Sequence, residues 1–116
     1  MSALSPKQAL TPDMQDALTE LLRALKVAGY RTRITSTLRT RAEQTGLYRK
    51  LYPKGLAVAK PGCSKHELGR AVDLVIEPES GYAPAGAYWE SLGGRWGGSF
   101  GRYDPVHFED PYPGPC

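Results

Sequence analysis

The sequence contains two histidines, and each lies a few residues from an aspartate. His66 precedes Asp73 in the segment SKHELGRAVD, and His107 follows Asp104 in YDPVHFE. Imidazole nitrogens and carboxylate oxygens are common zinc ligands, and a catalytic zinc site takes three protein ligands and keeps another position for water. The sequence therefore predicts one zinc ion per chain, held by His66, Asp73 and His107.

The aspartate at position 73 lies in an otherwise apolar run, AVDLVI at residues 71–76, whose length and composition predict a buried strand. A carboxylate in such a strand is costly unless it is paired or coordinated. In one straight strand His66 and Asp73 would face opposite ways, because they are an odd number of positions apart. Gly69 can turn the chain between them, since glycine accepts positive φ values.

Asp104 is the candidate general base. It lies three residues before His107, and Pro105 restricts the backbone between them, so the two side chains can converge on one site. An aspartate that does not bind the metal but reaches its water can take a proton and pass it to the leaving amine. Glu109 is the competing candidate for this role.

These residues resemble a known family, the LAS metallopeptidases, which comprise D-alanyl-D-alanine carboxypeptidases, D-alanyl-D-alanine dipeptidases and L-alanyl-D-glutamate endopeptidases, including phage endolysins. The family pattern is SxHxxGxAxD, followed later by an acid, two residues and HFE. The matching positions are Ser64, His66, Gly69, Ala71 and Asp73 in the first part and Asp104, His107, Phe108 and Glu109 in the second. The resemblance extends over residues 34–109.

The upstream segment STLRTRAEQTGLY is similar to the family's strand-to-helix segment, in which an arginine and a glutamine face the cleft. These positions fall on Arg39 and Gln44. The resemblance implies that Arg39 holds a substrate carboxylate or the developing oxyanion, work suited to a planar guanidinium. It also implies that Ser64 contacts substrate or supports the metal ligands. A surface position for Arg39 is the alternative, because other arginines lie close by in sequence.

The resemblance implies an α+β fold in which a small antiparallel sheet is flanked by helices and holds zinc in a cleft, as in hedgehog domains and D-alanyl-D-alanine peptidases. It also implies a peptidase that acts on the stem peptide of bacterial peptidoglycan. Asp104 and the WGGSF segment are more similar to the endolysin-like L-alanyl-D-glutamate endopeptidases, although Ser99 and Phe100 depart from the WGGDW of that branch. D-alanyl-D-alanine carboxypeptidase activity and a non-catalytic zinc module are the alternatives.

On this hypothesis Asp104 takes a proton from zinc-activated water, Arg39 stabilises the oxygen of the attacked carbonyl, and Asp104 then protonates the departing amine. A serine hydrolase is disfavoured, because a triad of Ser64, His66 and Asp73 is too close along the chain and no GxSxG segment is present. A nucleic-acid binder would use the basic N-terminal half, but the sequence contains no recognisable binding motif.

Several elements are predicted to position these residues. A first helix is predicted from an N-cap at Thr11 to about Ala28, with leucines at helical spacing and Gly29 as its stop. The pattern then predicts a strand at residues 30–36, a helix at 41–51, a loop at 52–64, the strand at 71–76 and a short helix at 85–92. Five glycines at residues 93–101 predict tight turns with close backbone approach, and residues 110–116 predict an extended tail.

The composition limits the remaining possibilities. The length of 116 residues suits one domain that spans residues 1–116. Residues 1–65 carry a net charge of +8 and residues 66–116 carry −5, but the positive residues are scattered, which favours solvated faces over a specific nucleic-acid site. Cys63 and Cys116 fit no CxxC motif, so free thiols are expected and a disulfide is the lesser alternative.

The N-terminal ten residues lack the apolar core of a signal peptide, and no run of about 18 apolar residues occurs in the sequence. We therefore expect a monomer that is made in the cytoplasm without membrane insertion. It would act on the bacterial cell wall after phage-type release.

Overall fold

Within residues 7–114 and 116, which the computed structural model describes, the chain forms three α-helices and four β-strands. The helices are α1 (Pro12–Val27), α2 (Arg41–Leu51) and α3 (Tyr82–Ser91), and the strands are β1 (Arg31–Ser36), β2 (Ala71–Glu77), β3 (Arg95–Trp96) and β4 (His107–Glu109). None of the described helices is long and apolar enough to cross a bilayer. The predicted domain, its tail and the N-terminal segment include residues 1–6 and 115, which lie outside the described residues, so the domain assignment stays a prediction.

Helix α1 has the predicted cap and the predicted apolar face. The Thr11 side chain accepts a hydrogen bond from the Met14 backbone N–H at 3.4 Å, which satisfies one of the free donors of the first turn. Met14, Leu18, Leu21 and Leu25 recur at helical spacing and are all buried. The helix ends at Val27, within a residue of the predicted end, and its leucines supply one side of the core.

Helix α2 has the bounds that the sequence predicts, and a capping box begins it. The Thr40 hydroxyl accepts from the Glu43 N–H at 3.1 Å, and the Glu43 carboxylate accepts from the Thr40 N–H at 2.9 Å. The sole residue of α2 that is fully buried is Gln44, a polar side chain. This helix therefore packs through a polar contact at the site, in contrast to the leucine face of α1. The predicted loop at 52–64 begins with a single 3₁₀ turn at Tyr52–Lys54.

The four strands form one antiparallel sheet in the order β1-β2-β4-β3, as the resemblance predicted. Along β2, Val72, Leu74 and Ile76 face the core, whereas Asp73 lies on the opposite face, because successive side chains of a strand alternate. In β4 the same alternation places Phe108 in the core between two polar neighbours. The strands β1 and β2 match their predictions to within one residue.

The hydrophobic core lies between the sheet and the helices α1 and α3. Trp89 of α3 packs edge-to-face on Phe108, with ring centroids 5.8 Å apart, and its indole N–H donates to the Glu109 carbonyl at 2.8 Å. Leu18, Leu21 and Leu74 complete a cluster that is almost fully buried. This packing fixes β4 and leaves the other face of the sheet for the cleft.

Helix α3 begins at Tyr82, three residues before the predicted start. Pro84 lies in its first turn, where a backbone N–H has no partner within the helix, so the proline does not interrupt it. The predicted tight turns at residues 93–101 are present. A Cβ added to Gly97 would collide with the backbone oxygen of Asp104, so the two loop segments approach as closely as glycine allows.

Cys63 and Cys116 form a disulfide bond, so the prediction of free thiols is wrong. The two residues are 53 positions apart in sequence, but their Cα atoms lie 5.2 Å apart. Contacts with Lys65 hold the C-terminal tail near Cys63. The Lys65 ammonium donates to the Asp110 carbonyl at 2.8 Å, and Gly114 lies against the same lysine side chain. The spacing of the cysteines in the sequence does not reveal these contacts.

Candidate metal centre

A short 3₁₀ turn, Lys65–Leu68, carries His66 into the site. The Ser64 hydroxyl accepts from the His66 backbone N–H at 3.2 Å and caps this turn. Gly69 ends it with φ of +68°, and a Cβ there would meet the Ala9 carbonyl oxygen at 2.7 Å. The predicted change of direction between His66 and Asp73 therefore occurs at Gly69, because its backbone conformation and its surroundings both disfavour a side chain.

The side chains of His66, Asp73 and His107 converge. One ligand atom from each residue can be chosen such that all three lie within 4.8 Å of one another. The Asp73 Oδ1 atom lies 3.2 Å from His66 Nε2 and 3.3 Å from His107 Nδ1. The sheet itself brings two of them together, because Asp73 of β2 and His107 of β4 are directly opposed partners in the strand register.

The remaining ring nitrogen of each histidine has its own hydrogen-bond partner. His66 Nδ1 lies 2.8 Å from the Thr37 carbonyl oxygen, which can only accept, so Nδ1 carries the proton. His107 Nε2 lies 2.8 Å from the Glu109 carboxylate. These contacts leave His66 Nε2 and His107 Nδ1 directed at Asp73, as is usual for histidine ligands of a metal. The donor set and its outer hydrogen bonds therefore fit a zinc ion.

The charges of the site are strongly coupled. Burial alone would raise the pKa of Asp73, but hydrogen bonds from His107 and His66 outweigh it and hold the pKa well below its ordinary value. Burial alone would lower the pKa of His107, but the carboxylates of Asp73 and Glu109 raise the pKa to about 9. A doubly protonated His107 thus neutralises negative charge that a bound cation would otherwise balance.

Arg39 lies in the site and not on the surface. Its side chain is 14% exposed, which excludes the alternative of a solvated surface arginine. The guanidinium donates to Gln44 Oε1 and to Ser36 Oγ, each at 2.8 Å, and lies 3.4 Å from Asp73 Oδ2. The Gln44 amide in turn donates to the Ala59 carbonyl at 2.7 Å. The buried glutamine of α2 therefore fixes the arginine beside the candidate metal ligands.

Asp104 lines the same cleft without joining the group of converging ligands. Its backbone N–H donates to the Gly97 carbonyl at 3.0 Å, and its own carbonyl accepts from the His107 N–H at 3.1 Å, so the turn before β4 sets its position. Burial raises the pKa of the Asp104 carboxyl, with the charge of Asp73 adding to the effect, while nearby cations oppose it. Asp104 is thus a better proton acceptor than an exposed aspartate.

Glu109, the competing candidate for the base, uses both carboxylate oxygens within the protein. Oε1 accepts from His107 Nε2 at 2.8 Å, and Oε2 lies 2.7 Å from the Lys65 ammonium. Burial alone would raise the pKa of Glu109, but these hydrogen bonds outweigh it and lower the pKa. The geometry therefore suits Glu109 to orienting His107 and disfavours it as a base.

These groups lie along a cleft with a volume of about 550 Å³. All the predicted site residues line it, together with the disulfide and groups that sequence reasoning missed. The residues that line the cleft include Arg39, Gln44, Ser64, Lys65, His66, Asp73, Arg95, Asp104, His107 and Glu109. Lys65 and the Thr37 carbonyl were not predicted, because a single lysine and a backbone oxygen carry no sequence signal. In contrast, the pairing of Glu109 with His107 follows from i,i+2 spacing on a strand.

Comparison with protein families gives one match over most of the chain. The family model for VanY, D-alanyl-D-alanine carboxypeptidase, matches residues 7–86. The matched region includes His66 and Asp73, whereas Asp104 and His107 lie beyond it. A search of curated protein sequences finds no match.

Several solved structures have the same fold. The LdcB LD-carboxypeptidase superposes with a TM-score of 0.68 at 21% identity, covering 95% of this chain and 63% of that chain. A Zn(II) complex of the vancomycin resistance D,D-pentapeptidase VanY, from a VanB-type resistance cassette, gives 0.69 at 19% identity, covering 89% and 73%. The L-Ala D-Glu endopeptidase ChiX of Serratia marcescens gives 0.63 at 24% identity, covering 90% and 82%.

This chain spans less than two thirds of the length of LdcB. At 19–24% identity, the superpositions establish the fold alone. The match to the family model establishes family membership. The resemblance that the sequence motifs indicated is therefore confirmed, and this chain belongs to the VanY family of D-alanyl-D-alanine carboxypeptidases.

Proposed function

We propose that this protein is a zinc-dependent peptidase that hydrolyses a peptide bond in the stem peptide of bacterial peptidoglycan. The observation that carries the proposal is the convergence of His66, Asp73 and His107 within 4.8 Å, in a cleft that also contains an arginine and a separate carboxylate. Family membership and the Zn(II) complex of a structural neighbour support the choice of metal. One zinc ion per chain would satisfy this ligand set.

A bound zinc ion would act as a Lewis acid, activating water and polarising the carbonyl group of the substrate. His66, Asp73 and His107 would hold it. Asp104 takes a proton at its carboxylate and later donates that proton to the departing amine. Its raised pKa supports this role, because a base with a pKa nearer neutrality holds and returns a proton more readily.

Arg39 supplies positive charge where the substrate carbonyl oxygen becomes anionic, or where a substrate carboxylate binds. The support for this role is its rigid position, since Gln44 and Ser36 each accept from it at 2.8 Å and little of its side chain meets solvent. A preorganised donor stabilises developing charge without reorganisation during the reaction. Ser64 supports His66 through the cap of its turn and needs no contact with substrate for that role.

We propose the L-alanyl-D-glutamate bond as the bond that is cut. The aspartate at the base position and the WGGSF segment are the features that favour this endolysin-like activity. The second candidate is D-alanyl-D-alanine carboxypeptidase activity, which the family match favours. Digestion of purified peptidoglycan separates the two, because the endopeptidase frees the amino group of D-glutamate whereas the carboxypeptidase frees D-alanine.

The experiment is to incubate the zinc-loaded protein with purified peptidoglycan and to identify new amino termini and released amino acids by mass spectrometry. Protein from which zinc has been removed with a chelator is the control. A new terminus at D-glutamate supports the endopeptidase, and release of D-alanine supports the carboxypeptidase. Zinc binding without any product would support the non-catalytic zinc module and contradict the proposed enzyme.

The site of action that we propose is the bacterial cell wall, reached after phage-type release. The disulfide supports this proposal, because disulfides persist in oxidising surroundings and are rare in the reducing cytoplasm. We also propose that the protein acts as a monomer on the stem peptide, without specific nucleic-acid binding. Sedimentation of the protein alone tests the first of these two statements, and titration with DNA tests the second.

A further inference from the structure

Lys65 is buried beside the candidate metal site, although the sequence analysis assigned it no role. Its side chain is 6% exposed, which is unusual for lysine, because removing an ammonium group from water is costly unless it is paired. The ammonium lies 2.7 Å from Glu109 Oε2 and donates to the Asp110 carbonyl at 2.8 Å. It also lies 3.5 Å from the Asp110 carboxylate.

A continuous chain of polar contacts runs from this lysine to the candidate metal position. Lys65 contacts one oxygen of Glu109, and the other oxygen of Glu109 accepts from His107 Nε2 at 2.8 Å. The opposite nitrogen of the ring, Nδ1, is the one that faces Asp73 at 3.3 Å. Fixing Glu109 therefore fixes both the proton on His107 Nε2 and the orientation of its ring.

Arg95 also contacts Glu109, at the same carboxylate oxygen as Lys65. Arg95 lies 3.4 Å from Glu109 Oε2, but the arginine side chain is 56% exposed. An exposed arginine holds a partner weakly, because water screens the pair and ordering the long side chain costs entropy. Without Lys65 the carboxylate would be free to turn towards Arg95 and solvent, away from His107.

We propose that Lys65 is a positioning residue of the metal site: it holds Glu109 against His107 and so keeps His107 Nδ1 directed at the metal. This inference rests on the zinc site of the proposed function. It extends that function by giving a buried lysine outside the group of candidate ligands an influence on metal affinity. Loss of a direct partner of a metal ligand, which is Glu109 here, typically weakens metal binding by about 10-fold to 100-fold. Lys65 lies one contact further from the metal position, so its loss should have an effect at the lower end of this range.

The test is the zinc dissociation constant, measured by competition with a chromophoric chelator at neutral pH. We expect Lys65→Met to weaken zinc binding by about 10-fold. The matched control is Arg70→Met, since Arg70 contacts the same Asp110 at 3.7 Å without reaching Glu109. This control should keep the wild-type affinity to within about twofold.

A double-mutant cycle separates positioning through Glu109 from a general loss of structure. If Lys65 acts through Glu109, Lys65→Met should change zinc affinity by no more than about twofold in a Glu109→Gln background. Equal losses in both backgrounds, or wild-type affinity in Lys65→Met alone, would overturn the inference. Should Lys65→Met fail to fold by circular dichroism, Lys65→Gln takes its place, because it removes the charge and keeps a donor for the Asp110 carbonyl.

Zinc binding by the wild-type protein distinguishes a failure of the positioning role from a failure of the proposed function. If it binds zinc and Lys65→Met binds it equally well, the positioning role is wrong and the proposed function stands. If the wild-type protein binds no zinc, both the proposed function and the role of Lys65 are wrong. The melting temperatures of the metal-free variants provide a readout that is independent of activity.

Discussion

At the scale of single residues, the proposed function assigns metal binding and proton transfer to different side chains. The three converging side chains are buried or half-buried, and Asp73 lies 3.2 Å from His66 and 3.3 Å from His107. Asp104 lies in the cleft outside that group. If separate residues serve the two tasks, as we propose, one function can be removed by mutation while the other is kept.

Replacing Asp104 with asparagine should leave zinc content unchanged and lower kcat/KM on peptidoglycan fragments by about 10²-fold to 10⁴-fold, the usual contribution of a general base. Zinc is measured by elemental analysis and turnover by product release. Asp16→Asn on the exposed side of α1 is the matched control and should keep wild-type turnover. Full activity in Asp104→Asn would remove Asp104 from the mechanism.

The raised pKa of His107, about 9, predicts a pH dependence of zinc binding. Zinc needs Nδ1 without its proton, so at neutral pH binding must release a proton from His107. We expect the affinity to rise about tenfold per pH unit as the pH increases towards 9, measured by chelator competition. An affinity that does not change with pH would mean that His107 is already neutral in the metal-free protein.

The same raised pKa of His107 predicts that the stability of the metal-free protein falls as the pH rises, whereas the zinc affinity increases. The stabilisation from protonated His107 is fully present below its unfolded pKa of 6.5 and is lost as the pH rises through about 9. Zinc should therefore stabilise the protein most at alkaline pH, where the metal-free form is weakest. Thermal denaturation with and without zinc, at several pH values, measures this difference.

At the scale of elements, the site depends on places where two backbone segments meet closely. Gly97 touches the turn at Asp104, and its added Cβ would also lie 3.0 Å from the His107 Cβ. Both site residues of the second motif are thus positioned by one glycine. The WGG sequence around it is part of the scaffold of the site, although it contributes no side chain there.

Replacing Gly97 with alanine should force Asp104 and His107 apart, which we expect to cost about 1–3 kcal/mol of stability and to weaken zinc binding. Gly101→Ala is the control, because nothing lies within 4 Å of the added Cβ and it should behave as wild type. Urea denaturation and the zinc dissociation constant are the measurements. Equal behaviour of the two variants would show that the turn adapts without disturbing the site.

At the scale of the whole molecule, the disulfide joins the tail to the wall of the cleft. Cys63 and Cys116 close a loop with a sequence separation of 53 residues, and both line the cleft. Because a cross-link restricts the unfolded chain, it contributes to the stability of the whole fold and not to one contact. The tail therefore belongs to the structure that surrounds the site.

We expect the double variant Cys63→Ser, Cys116→Ser to be less stable than the oxidised protein by about 2–4 kcal/mol, measured by urea denaturation. A thiol-reducing agent should destabilise the wild-type protein to a similar extent and leave the double variant unchanged. Thiol titration of the denatured protein without reductant should detect no free thiol. Detection of two free thiols would contradict the disulfide and agree with the sequence-based prediction of free cysteines.

Much of the fold could be predicted from the sequence because its signals are local. The cap at Thr11, the spacing of the leucines in α1 and the apolar run around Asp73 each act within one element. Helix α3 was predicted three residues short, because a proline in a first turn resembles a break. The short strands β3 and β4 carry too few residues for a pattern, and they exist through pairing with each other and with β2.

The sequence by itself determined which side chains could bind a cation, because their types and motif spacing are chemical properties of the chain. Tertiary structure alone decided that Arg39 is buried, that Lys65 holds Glu109, and that the two cysteines are joined. Those outcomes depend on distances between segments far apart in sequence. Such distances are set by strand register and core packing, which no local pattern encodes.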